Sequence, residues 1–415
     1  MDGNKIKILV VQTDHVGGVG FYRSFQPHQY ITANYGNEFE VVYNSDPDWA
    51  DNAYFEQFDI IHVHKGIFPK IQDFYKQIIH LKDTNTVTVL DLDDSWELSE
   101  AHPNYLIQKQ YKLDELVVTG IKLFDYITTT TSKFAKEIYK INKHVFVIPN
   151  GIDPNDDRFK LDKPVSDKLR VGFIMGSHHE ADIKLLDRFI LQIPEETRKK
   201  IQIVLCGFDL NGVARIIDPN TGQVQQRPIK PKETVWYRYE VMLTDNYKIL
   251  SDKYKRFLEM FVKNLDYPEA DEEGYKRCWT KDINHYYSHY NNIDVLLAPL
   301  AINKFNHVKS ELKVAECCFS DTALIASDYG PYNLVLKNAW DENGQFNPEG
   351  NSILINEEKN ATDWAKAITM LAEDRNKLDI LKKNIHDDFC DKLSLETITK
   401  KRIGFYKEIL NYTSK

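Results

Sequence analysis

Residues Ile293–Leu336 read IDVLLAPLAINKFNHVKSELKVAECCFSDTALIASDYGPYNLVL. The run from Asp294 to Leu300 is short, apolar and closed by a proline, and Ala323 to Ala326 is a second apolar run. Both have the composition of strands covered on both faces of a parallel sheet. Between them the spacing predicts a helix. Lys309, Lys313 and Glu316 recur at intervals of four and three and share one face, while Leu312, Ala315 and Phe319 share another. Two cations and a carboxylate thus stand near the start of a helix that follows a strand, beside its orphan N–H groups, a place suited to a phosphate. A solvated Lys/Glu face gives the same spacing, so the helix alone decides nothing.

The wider order of motifs decides more. Strand, N-terminally basic helix, Glu, strand and then Ser327-Asp328-x-Gly330-Pro331-Tyr332 resembles the donor-binding end of GT-B glycosyltransferases, particularly the large retaining family four. The resemblance implies that Glu316 is the second glutamate of that family's E-x7-E motif, which binds the ribose of a nucleotide sugar. The first glutamate is replaced by Val308, with Asn306 and His307 beside it. The sugar contact then falls to Asn306 or the nearby backbone, and the diphosphate to Lys309 and Ser310, with Lys313 as a further cation.

With 415 residues, 42% hydrophobic and 28% charged, the chain is too long for one compact core and suits two domains. A net charge of −9 argues against the nucleic-acid backbone as main partner, because that binding rests on clustered Lys and Arg. The cysteines Cys206, Cys278, Cys317, Cys318 and Cys390 are scattered, without metal-ligand spacing, which predicts reduced thiols and no zinc site. The first residues enter a strand with no secretion-signal pattern, and no apolar run reaches the roughly 18 residues of a membrane span. The expected location is cytoplasmic.

The fold class expected is α/β, with two doubly wound Rossmann-like domains facing across a cleft. Residues 1–165 form the acceptor-side domain, 166–392 the donor domain, and the helix in 393–415 crosses back onto the first. After the strand Ile6 to Gln12 come Gly17, Gly18 and Gly20, which either make a plain tight turn or bring backbone close to a ligand. The resemblance places this loop at the donor phosphates, with His15, Arg23 and Ser24 flanking it. His62 and His64 alternate with Val63 on one strand face, as structural histidines or, less well supported, a metal pair.

The next strand, Thr86 to Leu90, runs into Asp91-Leu92-Asp93-Asp94. Three carboxylates at a strand's C-terminal end admit three readings: the nucleophile motif of haloacid-dehalogenase-type phosphatases, the D-x-D metal motif of GT-A enzymes, or the acceptor-side rim of a GT-B domain. In the third, Asp93 and Asp94 are the catalytic candidates and Asp91 is structural. Family four often has a His-Asp pair there, and no histidine neighbours these aspartates in sequence.

A helix is expected over Asn104 to Phe124, and Ser132 is expected to cap a helix over Lys133 to Ile141. The Pro149-Asn150-Gly151-Ile152-Asp153 motif resembles the end of family-four N-terminal domains. Its Asn-Gly turn is expected to supply positive φ and to line the cleft. A second sheet starts at Leu169, with Gly176 and Ser177 in a donor-side loop, His178 and His179 as weaker candidates, and a helix over Asp182 to Gln192. Residues 210–291 read as an aromatic-rich insertion shaping the donor pocket, with a hairpin over Ile216 to Ile229 turning at Asn220 to Gly222. The last helix, Leu393 to Leu410, carries Ile398, Ile403, Phe405, Tyr406 and Leu410 as contacts to the first domain.

The implied activity is transfer of a sugar, with retention, from a UDP-, GDP- or dTDP-sugar to a hydroxyl of a glycan, a lipid-linked sugar or a small molecule. No cofactor and no metal are expected. A non-catalytic sugar-nucleotide binder and a sugar-nucleotide epimerase of the same fold are the alternatives.

Overall fold

The computed structural model describes residues 5–12, 17–209, 213–217, 224–230, 233–244, 271, 273–341, 344–356 and 361–413. His15, the hairpin turn at Asn220 to Gly222, and Tyr247 and Tyr254 of the aromatic-rich stretch lie outside them.

The apolar runs become the strands of two parallel sheets. The first holds β1 (Ile6–Val11), β2 (Phe39–Tyr43), β3 (Ile60–His64), β4 (Val87–Leu92), β5 (Tyr126–Thr129) and β6 (Val145–Val147), in the order β2-β1-β3-β4-β5-β6. The second begins with β7 (Leu169–Ile174) and β8 (Ile201–Phe208). After an antiparallel hairpin of β9 (Val213–Ile217) and β10 (Val224–Pro228) it continues with β11 (Tyr275–Trp279), β12 (Val295–Ala298), β13 (Ala323–Ser327) and β14 (Ile353–Ile355). Its order is β11-β8-β7-β12-β13-β14, all parallel, which is the doubly wound 3-2-1-4-5-6 order when its strands are counted within the sheet. Helices cover the faces, so β3, β4, β7, β12, β13 and β14 are buried throughout.

Each sheet has an interior point where the chain reverses its direction of growth, between β1 and β3 in the first and between β7 and β12 in the second. Open α/β sheets bind ligands outside the carboxyl ends of the strands at such points. The glycine loop after β1, Lys65 after β3, Gly176 after β7 and the segment after β12 all leave from these ends.

The two halves interlock. Val308, from the loop beyond β12, is 3% exposed within the apolar cluster of the first domain, among Leu90, Leu92 and Phe134. Burying a valine is worth about 1.5–3 kcal/mol. Reciprocally, Phe21 and Tyr22 from the first domain join the core of the second, packed against Phe159. Lys133 donates to Gly330 O and Asn333 Oδ1 across the seam, both at 2.7 Å. The helix Leu395–Thr413 packs on the first sheet, with Ile398, Ile403, Phe405, Tyr406 and Ile409 buried in one cluster with Ile8, Val10, Ile60 and Val89. Leu410 packs there too.

Several local expectations are corrected. Gly151 has no positive φ; a Cβ there would lie 2.9 Å from Leu395 Cα, so the glycine lets the returning chain cross. Asn150 does not line the cleft, because it is buried beneath Arg23, whose Nη1 donates to Asn150 Oδ1 at 3.2 Å. Thr131, not Ser132, caps the helix Ser132–Tyr139, its hydroxyl accepting from Phe134 N. The helix expected over Asn104 to Phe124 is two, Tyr105–Tyr111 and Leu113–Leu123, broken at Lys112 with φ 51°.

The helix expected over Asp182 to Gln192 is a set of short turns, Glu180–Ile183, Lys184–Leu186 and Phe189–Gln192, broken by left-handed Arg188. The stretch read as an insertion to residue 291 includes β11, an integral edge strand paired with β8, so the end of that segment belongs to the sheet. The hairpin is present as β9 and β10.

Candidate active site

A cavity of about 770 Å³ opens between the carboxyl ends of the two sheets, within the range of small-molecule sites. From the first domain it is lined by Gly18, Tyr22, Lys65, Asp93, Asp94 and His102, and from the second by Gly176, His178, His179, Asn306, Lys309, Ser310, Lys313 and Glu316. Gly17 and Ser177 are not among the described lining residues. Gly17 precedes the turn, its carbonyl accepting from Phe21 N, and the Ser177 carbonyl accepts from Tyr239 OH. A Cβ on Gly176 would meet no atom within 4 Å.

On the wall contributed by the second domain, Asn303 caps the short helix Lys304–His307, accepting from Asn306 N. The chain then leaves helical geometry so that Val308 can enter the other domain, and helix resumes at Leu312–Phe319. Lys309 and Ser310 therefore precede the helix instead of sharing its face, a correction to the periodicity reading. Lys309 Nζ lies 3.4 Å from His179 Nε2 and 5.1 Å from the centroid of the Phe305 ring. His179 Nδ1 donates to Asp182 Oδ2 at 2.5 Å, which leaves Nε2 as the acceptor for Lys309.

Burial and the neighbouring Lys309 push the His179 imidazolium down to about 4, so the ring is neutral near pH 7. Burial also lowers Lys309 from the usual lysine range. No carboxylate lies within ion-pairing distance of Lys309 among the described residues. It is a half-buried cation facing a cavity.

Glu316 is fully buried. Its Oε2 accepts from Lys313 Nζ and Tyr290 OH, both at 2.7 Å, and Lys313 also donates to Tyr286 OH at 2.6 Å. Its Oε1 is buried with no hydrogen-bond partner among the described residues. An unsatisfied carboxylate oxygen is costly, so a buried one on a cavity wall is an acceptor suited to a ligand donor. Asn306 serves otherwise: its amide donates to Asp182 Oδ1 at 2.7 Å and to Ala301 O at 2.9 Å, so those donors shape the wall. Gly330, at φ +62°, lets the following loop approach, since a Cβ would lie 2.5 Å from Asn306 O.

On the wall contributed by the first domain the three aspartates divide sharply. Asp91 is a strut. Arg23 Nε and Nη2 donate to its two oxygens at 2.9 and 2.6 Å, and Thr128 Oγ1 donates at 2.6 Å. These contacts outweigh burial and hold its carboxyl far below the usual range. It does not line the cavity and has no oxygen free for attack on phosphorus.

Asp93 and Asp94 do line it. His64 Nε2 lies 3.4 Å from Asp93 Oδ1, and Lys65 Nζ lies 3.7 Å from Asp93 and 3.8 Å from Asp94. Against burial, Lys65 and His64 hold Asp93 below the usual carboxylate range. Burial and the adjacent Asp93 charge push Asp94 up. Two neighbouring carboxyls driven apart in this way have distinct proton-handling capacities.

A His-Asp contact that the sequence did not show is built across adjacent strands, with His64 opposite Asp91 in register and Asp93 just beyond. Lys65 reaches the pair from a left-handed backbone, φ 63°, followed by Gly66 at φ 66°. The sequence signal was the charged residue and glycine ending an apolar strand. His62 differs from His64: it is buried between Ser24 and Tyr406, and burial keeps it neutral. It is structural.

No family model and no curated protein matches this chain. Solved structures do. The Anabaena protein HepE, in complex with UDP-glucose, superposes with a TM-score of 0.58 at 13% identity, covering 98% of this chain and 99% of that one. A glycosyltransferase from Rickettsia africae gives 0.57 at 13% identity, over 98% and 99% of the two chains. A UDP-forming α,α-trehalose-phosphate synthase from Burkholderia vietnamiensis gives 0.57 at 10% identity, over 99% and 100%. What is shared at these identities is the architecture, over essentially the full length of each chain: this protein has the GT-B fold.

Proposed function

We propose that the protein is a glycosyltransferase that moves a sugar from a nucleotide-diphosphate sugar to an acceptor hydroxyl, with retention of anomeric configuration. The observation that carries the reading is the buried, unpartnered Oε1 of Glu316 together with Lys309, a cation with no carboxylate partner among the described residues, on residues that line one cavity with Asp93 and Asp94. A nucleoside diphosphate supplies what each lacks, ribose hydroxyls for Glu316 and phosphate oxygens for Lys309 and Ser310. UDP is the first nucleotide to test, because one structural neighbour holds UDP-glucose and another is named as UDP-forming.

In this reading the anomeric carbon–phosphate oxygen bond breaks as the acceptor oxygen bonds to the same face. Lys309 stabilises the charge gathering on the departing diphosphate, in a site preorganised by Asp182 and His179. The departing phosphate oxygen takes the acceptor's proton. Asp93, kept ionised by Lys65 and His64, accepts a hydrogen bond from the acceptor and holds its hydroxyl near the anomeric carbon. Lys309 supplies cationic charge at the diphosphate, and the reading calls for no metal clamp.

Incubation with UDP-, GDP- and dTDP-sugars, followed by NMR, tests the proposal. Release of nucleoside diphosphate, by transfer or slow hydrolysis, supports it. Inversion at a sugar carbon without release would make the protein an epimerase, and binding with no turnover would make it a binder; either result overturns the proposal.

A further inference from the structure

Cys206 on β8 and Cys278 on β11 stand opposite each other in register on neighbouring parallel strands. Side chains paired in this way leave the sheet on the same face. His289, from the turn Tyr286–Asn292, meets them there. One ligand atom from each of the three residues lies within 4.8 Å of the other two. All three are buried, at 0%, 8% and 1% exposure respectively, and Cys206 and His289 also line the interdomain cavity.

Both ring nitrogens of His289 are buried, and the group that interacts with the ring is the Cys278 thiol. Spacing along the chain hid the cluster, since its members come from two strands and a turn far apart in sequence.

We propose that Cys206 Sγ, Cys278 Sγ and a ring nitrogen of His289 bind one soft divalent metal ion of the zinc class, with the fourth position turned toward the cavity. Two thiolates and an imidazole are a zinc ligand set, and three protein ligands with one open position are the pattern of accessible zinc sites. Hard cations that take all-oxygen shells, such as magnesium and calcium, are disfavoured by sulfur donors. Binding displaces the two thiol protons to solvent and leaves the sulfur oxidation state unchanged. The site is independent of the transferase reading, because it uses none of the residues assigned to the diphosphate, the ribose or the acceptor.

The test uses the full chain, reduced and stripped of metal without oxygen, then titrated with cobalt(II) as a spectroscopic stand-in for zinc. One equivalent should bind and produce thiolate-to-cobalt charge transfer in the near ultraviolet with the intense visible bands of four-coordinate cobalt. Added zinc should displace it and raise the melting temperature. Cys278→Ser and His289→Ala should each weaken cobalt binding by more than the roughly 10- to 100-fold lost with an outer-sphere partner. Cys390→Ser, a thiol outside the cluster, should leave binding unchanged. The unmodified protein alone keeps the proposal falsifiable if a variant does not fold. Absence of charge transfer, stoichiometric binding that survives in folded Cys278→Ser and His289→Ala, or a purified protein lighter by two hydrogens with Cys206 and Cys278 joined as a disulfide that resists reduction would each overturn it.

Discussion

Replacing Glu316 by Gln tests the donor wall at its most constrained atom. The side chain is fully buried on the cavity wall, with one oxygen held by Lys313 and Tyr290 and the other without a hydrogen-bond partner among the described residues. Glutamine keeps the shape and an acceptor for Tyr290 and Lys313, so the variant should fold; thermal unfolding checks this. It removes the charge that a ribose hydroxyl would meet. A hydrogen bond to a charged group contributes roughly 1.5–3 kcal/mol, so UDP should bind roughly 10- to 150-fold more weakly. The sharper assay is calorimetry with UDP and with its 2′,3′-dideoxy analogue. The parent protein should discriminate between them by about that factor, and Glu316→Gln should bind both alike. If the variant weakens both ligands equally and the discrimination survives, Glu316 does not hold the ribose and the donor assignment fails.

Lys309→Ala removes the cation that has no carboxylate partner among the described residues; UDP binding measured by calorimetry should weaken by roughly 10- to 150-fold while uridine, lacking phosphate, is affected far less. Asp93→Asn should lower the rate of transfer while leaving the dissociation constant for UDP nearly unchanged, because Asp93 lies on the opposite wall; a parallel loss of UDP affinity would contradict the division of the cavity. Glu311 is buried, with Oε2 unpartnered among the described residues, and burial raises its carboxyl from 4.5 to about 7 despite Arg23 and Lys401. Folding therefore favours its protonated form: the contribution is complete below pH 4.5 and is lost as pH rises through about 7. At about 1.4 kcal/mol per unit this is roughly 3 kcal/mol, so Glu311→Gln should be more stable than the parent at pH 8 and nearly equal at pH 5, as denaturant unfolding at the two pH values will show.

The fold was legible because its signals are local. Runs such as Ile8–Val11 and Val295–Ala298 are buried on both sheet faces and announce themselves as unbroken apolar stretches. Glu316, Lys309 and Asp93 were legible because each follows such a run. What escaped depends on contacts between distant segments. His64 meets Asp93 only because β3 and β4 are neighbours in register. The predicted helix through Lys309 is broken because Val308 is drawn into the opposite domain's core, a tertiary demand that local spacing cannot express. Gly151 looked like a turn residue, whereas its lack of a side chain admits Leu395, which lies hundreds of positions later. Asp182, which orients His179 beside Lys309, became visible only once β7 and β12 were placed side by side.

The most direct measurement is a crystal structure of the protein grown with UDP and, separately, with a UDP-sugar. The account predicts the nucleotide in the cleft, its ribose hydroxyls within hydrogen-bond distance of Glu316 Oε1, its diphosphate on Lys309 and Ser310, and the sugar turned toward Asp93 and Asp94. A nucleotide bound elsewhere, or in the cleft with its diphosphate on the Asp93 side and Glu316 Oε1 still unpaired, would contradict it.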